Sequence, residues 1–120
     1  MGILSLLLRP SFGAKPKSVR NFRITSPGWL EGDGTAASPL AGPTTSDVTF
    51  TAKVSGTFYW TGAIGMGQQA YSYSIKKNGS IIASGSALQI NGNTSVAVND
   101  TIRFETGADM TGGNLQVWIV

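Results

Sequence analysis

The chain has 120 residues, a length that suits one domain, and its nine Lys and Arg against six Asp and Glu give a formal net charge of +3. It has no Cys and no His, so disulfides, thiolate metal sites, the usual neutral-pH acid/base group and nucleophilic triads are all removed from consideration. No run approaches the roughly 18 apolar residues that a membrane-spanning helix needs.

The charge is unevenly placed. Arg9, Lys15, Lys17, Arg20 and Arg23 all precede the first acid, Glu31. Beyond that point Lys53, Lys76, Lys77 and Arg103 face all six acids. A basic leader therefore precedes a mildly acidic body, an asymmetry that points to an arm meeting an acidic surface or a nucleic acid. Prolines follow the same division: Pro10, Pro16, Pro27, Pro39 and Pro43 all fall before Thr44. Proline cannot donate to a sheet ladder, so the proline-free remainder is the part expected to be continuous sheet.

Residues 1–17 are read as an extended N-terminal arm and 18–120 as the β-domain. In the arm, Ile3, Leu4, Leu6, Leu7, Leu8 and Phe12 are apolar and Pro10 stops any helix within two turns. Each leucine left in water forgoes roughly 1.5–3 kcal/mol of burial, so these side chains need a covering surface. The arm is expected to find it on a partner, with Arg9, Lys15, Lys17 and Arg20 pairing with carboxylates there. The Leu run lacks a charged n-region and a small-residue cleavage site, so a secretory signal is not expected.

Residues 18–25 fit a first strand, with Phe22 and Ile24 on one face. Residues 26–47 read as a long loop, which suggests either a short strand around Trp29 and Leu30 or a surface contact element; the Gly32-Asp33-Gly34 stretch within it reads as a tight turn in preference to a calcium loop. From 47 to 54 the alternation is clean, with Val48, Phe50, Ala52 and Val54 inward. Phe58 and Trp60 oppose Tyr59 on the next strand. The glycine-rich link 62–69 carries Ile64 and Met66 as candidate contact tips. Tyr71, Tyr73 and Ile75 share a face.

Asn78-Gly79 is the strongest local signal, because it supplies the two positive-φ residues of a type I′ hairpin turn. That turn sets Lys76 opposite Ile81 and Ile75 opposite Ile82. Asn91-Gly92-Asn93 reads as a turn, Asn99-Asp100 as another, and residues 107–114 as a loop. Leu115, Val117 and Ile119 close the chain as a buried strand. Seven or eight strands without a helix imply an all-β protein, an antiparallel β-sandwich of jelly-roll or Ig-like wiring, with an up-and-down barrel as the alternative.

Candidate chemistry is sparse. The six acids are scattered, so no catalytic residue, metal ligand or cofactor site is assigned, and the chain is not expected to be an enzyme. Tyr59, Trp60, Tyr71, Tyr73 and Trp118 are candidates for a surface on which sugars or bases stack. Strand alternation requires either Tyr59 or Trp60 to face inward.

Three segments, Tyr73-Ser-Ile-Lys-Lys-Asn-Gly-Ser-Ile-Ile82, Val96-Ala-Val-Asn-Asp-Thr-Ile-Arg-Phe104 and Leu115-Gln-Val-Trp-Ile119, carry a resemblance. The stretch 71–120 resembles the C-terminal half of small β-sandwich accessory proteins of tailed-phage virions. A similar rhythm occurs in jelly rolls of the complement C1q and tumour-necrosis-factor type. The resemblance implies a viral structural protein, a capsid decoration (cement) protein on the virion surface, made in the host cytoplasm. Its implied partners are the major capsid protein or other virion proteins, and it is expected to be a homo-oligomer, with a trimer as the first guess. Membrane and nucleic-acid partners are not expected. The alternative is a tail or fibre knob, or a carbohydrate-binding module, that recognises a glycan.

Overall fold

A computed structural model describes residues 17–24, 32–43, 47–63, 70–106 and 114–120. Ten strands run through them: β1 (Lys17–Ser18), β2 (Phe22–Ile24), β3 (Leu40–Pro43), β4 (Asp47–Ala52), β5 (Gly56–Ala63), β6 (Tyr71–Lys77), β7 (Ser80–Ala87), β8 (Gln89–Val96), β9 (Thr101–Thr106) and β10 (Asn114–Ile119). Among the described residues there is no helix. The six-stranded sheet has the order β1-β2-β4-β9-β6-β7 and the four-stranded sheet β3-β10-β5-β8. All pairings are antiparallel. Strands β3 to β10 thus have jelly-roll wiring, two four-stranded halves between which the chain crosses repeatedly, and β1 and β2 widen one sheet.

The alternation expected from the sequence places the core. Phe22 and Ile24 from β2, Val48, Phe50 and Ala52 from β4, and Ile102 and Phe104 from β9 face Phe58 and Trp60 from β5 and Leu115, Val117 and Ile119 from β10. Five aromatic rings meet at the centre. Phe58 lies 5.4 Å from Phe22, 6.0 Å from Phe50 and 6.3 Å from Phe104, so one side chain of the four-stranded sheet contacts three strands of the other. Val54, beyond the end of β4, packs against this core as a partly buried residue.

Three expectations are corrected. Residues 40–43 are a strand, where the sequence reads as loop: among the described residues β3 is the outer strand of its sheet and pairs only with β10, so Pro43 is accommodated at an edge. Asn91-Gly92-Asn93 lies in the middle of β8, not in a turn. Gly92 is there for space: a Cβ on it would come within 2.6 Å of the Trp60 indole. Finally, Ile75 sits opposite Ala83, not Ile82, because the β6–β7 register shifts between Ile75 and Lys76. This bulge leaves both Ile81 and Ile82 exposed. The Lys76–Ile81 and Lys77–Ser80 pairs stand as expected.

Turns follow their local chemistry. Asn78 and Gly79 have φ of 51° and 89°, as a type I′ turn requires. The amide N–H groups of Asp33, Gly34 and Thr35 all donate to the Ser38 carbonyl, which closes the glycine-rich stretch as a tight turn. Asp100 ties two turns together at one end of the sandwich, where the β6–β7 hairpin meets the start of β9. Its carboxylate accepts from the Ala97 N–H at 2.8 Å and from Asn78 Nδ2 at 3.1 Å, and the Thr101 N–H donates to Asn78 Oδ1 at 2.9 Å.

These bonds hold the Asp100 carboxyl below its ordinary value, the Ala97 N–H contributing most. The Arg103 hydrogen bonds do the same for Asp47, and the Lys76 contact for Glu105. A carboxylate held low in the folded chain adds stability that is complete above its unfolded value and is lost as pH falls through its folded one. The melting temperature is therefore expected to fall on acidification through and below the ordinary carboxylate range. In a thermal-melt series Asp100→Asn should show a shallower acid decline than the wild type; an unchanged pH profile in that variant would contradict the assignment.

Candidate functional site

The strands β3, β5, β8 and β10 contain no charged residue. Their inward residues fill the core, and their outward residues form a face whose layout is fixed by the register. Asn93, Tyr59 and Trp118 lie in one row across β8, β5 and β10. The next row is Asn91, Thr61, Gln116 and Ala41. Beyond it Gln89 and Asn114 flank Ala63, and on the other side Ser95 pairs with Thr57. Rows are two residues apart, about 6.8 Å along the strands.

The aromatic row is the centre of this face. Tyr59 and Trp118 are half-buried, and their rings stack in parallel with centroids 5.4 Å apart and an interplanar angle of 8°. Among the described residues, no hydrogen bond engages the side-chain amides of Gln89, Asn91, Asn93 or Gln116. Each amide offers both donors and an acceptor. The face can therefore present flat π surface beside open, uncharged hydrogen-bonding groups.

Charge is collected on the opposite side of the sandwich. On the outer face of the six-stranded sheet Arg103 binds Asp47 through two bonds, Nε to Oδ1 at 2.9 Å and Nη2 to Oδ2 at 2.6 Å. Glu105 there contacts Lys76 at 3.0 Å, Arg103 at 3.2 Å and the Ser74 hydroxyl at 3.1 Å. An open depression of about 250 Å³ lined by Ser72, Tyr73, Ser74, Glu105 and Thr106 lies beside this network. Its one carboxylate is already committed to cations, so it resembles a surface ion-pair cluster more than an acid/base site.

The five candidate aromatics separate. Trp60 is 5 % exposed and belongs to the core, at 5.9 Å from Phe104. Tyr59 and Trp118 come together outside. Tyr71 and Tyr73 lie on β6, in the other sheet, and Tyr73 packs against the core. The expected partner-binding residues Ile3, Leu4, Leu6, Leu7, Leu8, Arg9, Phe12, Lys15, Ile64 and Met66 lie outside the described residues. Lys17 is in β1, and Arg20 is exposed in the bend that follows it. The sequence reading did not find the amide rows around Tyr59 and Trp118; the signal available was the lack of charge in four strands that only the fold makes neighbours.

The site and fold define an all-β jelly-roll protein with an uncharged, aromatic-centred sheet face. No protein-family model matches the sequence, and no curated protein matches it. Solved structures with a similar fold include GITRL from bushbaby, at 8 % identity over 60 % of this chain and 68 % of that one, with a TM-score of 0.49. A family 35 carbohydrate-binding module from Clostridium thermocellum matches at 15 % identity over 89 % of this chain and all of that one, TM-score 0.44. A CBM51 from Clostridium perfringens GH95, solved with methyl-galactose, matches at 10 % identity over 73 % and 71 %, TM-score 0.44. At these identities and scores the likeness is one of architecture and says nothing about a ligand.

Proposed function

We propose that this chain is a non-catalytic binding module that holds a neutral glycan on the outer face of the four-stranded sheet. The observation that carries this reading is the stacked Tyr59–Trp118 pair on four strands without charge, set among side-chain amides that no hydrogen bond engages among the described residues. A sugar ring has an apolar C–H face that packs on an aromatic π surface, and its hydroxyls both donate and accept, as Asn and Gln side chains do. An anionic glycan or a nucleic acid calls for Arg or Lys against carboxylate or phosphate, and the four strands of this face supply neither. The capsid-attachment reading rests on the leader, which lies almost wholly outside the described residues, and nothing at this face bears on it.

The test is a titration of neutral and uronic-acid-containing oligosaccharides, followed by tryptophan fluorescence and calorimetry. Neutral oligosaccharides should bind, with an affinity nearly independent of salt. Absence of binding across a broad neutral glycan array, or a preference for acidic sugars that salt weakens, would falsify the proposal.

A further inference from the structure

The six-stranded sheet ends on β7, and among the described residues β6 is its only sheet neighbour. In an antiparallel ladder about half of an edge strand's N–H and C=O groups point away from its partner. Native edges are normally blunted by shortness, lysine, proline or a twist that turns the edge aside. The other three edges here are of that kind or are polar. β1 has two residues, β3 has four and ends in Pro43, and β8 presents Gln89, Asn91 and Asn93. β7 has eight residues, and none from 78 to 99 is charged or proline. Its bulge lies near the hairpin end, so Ala83–Ala87 keep regular pairing with β6. At that end Ile81 is 60 % and Ile82 39 % exposed, side by side.

From this edge we infer that the occupant of β7 is β7 of a second copy, paired antiparallel about a two-fold axis. An isologous contact places the strand against itself, so a charge at or beside the axis would meet its own copy. The strand has none, and every register of self-pairing is free of repulsion. The contact satisfies both open edges at once and covers Ile81 and Ile82 in both copies. It also terminates. The far edge of the joined sheet is the two-residue β1 in each copy, so the described strands build a closed dimer with a twelve-stranded sheet and no filament. The outer face of the four-stranded sheet stays open in both copies, so the inference does not depend on the glycan reading.

The experiment is sedimentation and light scattering of the full chain at tens of micromolar. The expected mass is twice that of one chain, 12.5 kDa. Ile82→Lys, and separately Ser84→Lys, should return the mass of one chain with an unchanged far-UV spectrum, because both positions are exposed. Amide exchange of the N–H groups within residues 81–86 that point away from β6 should be slow in the wild type and fast in both variants, whereas Trp118→Ala should leave the mass unchanged. A monomeric wild type, an open-ended series of larger species, or a dimer that survives both lysine variants while they remain folded would each overturn the inference.

Discussion

Phe58→Ala should lower the stability of the chain by about 3–5 kcal/mol, on the order of 10–20 °C in melting temperature. The whole fold is held by about 5–15 kcal/mol, so this single variant removes a large share of it. The size follows from position. Phe58 is fully buried, and its ring meets Phe22, Phe50 and Phe104 across the interface between the sheets and Trp60 at 6.1 Å within its own. Truncation removes apolar burial and opens a cavity whose walls belong to rigid sheet from both sides, which collapse poorly into the space. Phe58→Leu fills most of that volume and should cost much less. Paired thermal and urea melts measure the difference, and an Ala variant that melts with the wild type would mean that the aromatic cluster does not join the sheets.

The second large effect divides two tryptophans that are alike in the sequence. Trp118→Ala should weaken oligosaccharide binding at least tenfold, about 1.4 kcal/mol, and cost the fold little beyond the roughly 0.5–1.5 kcal/mol of its stack on Tyr59. Trp60→Ala should do the reverse. Its ring is buried against Phe58, Phe104 and the backbone at Gly92, so truncation should cost about 3–5 kcal/mol of stability while Tyr59 and Trp118 keep their places outside. Calorimetric titration beside a thermal melt reads both quantities. Equal losses of binding in the two variants, each still folded, would show that the ligand site is not the outer face.

Much of the fold is written locally. Val48, Phe50 and Ala52 alternate with polar residues, as do Leu115, Val117 and Ile119, and a period of two residues with one apolar face can only be a half-buried strand. Asn78-Gly79 fixes its hairpin because few residues tolerate two successive positive φ angles. Where local signals misled, a neighbour distant in sequence had the stronger effect. Gly92 reads as a turn residue and is a strand residue, because Trp60, more than thirty positions earlier, occupies the space its side chain would need. Ile82 reads as the cross-strand partner of Ile75 and is exposed, because the register shift sets Ala83 opposite Ile75 in its place.

The chain by itself determined that it would be all β, that it has no His or Cys chemistry, where most of its strands run and which face of each is apolar, since all of these depend on residue type and on spacing along one strand. Only the tertiary structure chose jelly-roll wiring over an Ig-like one, separated Trp60 from Trp118, and set β3, β10, β5 and β8 side by side as one uncharged face. Those outcomes depend on which strands become neighbours. Burial of the combined apolar faces decides that, and it is a property of the whole molecule that no single segment encodes.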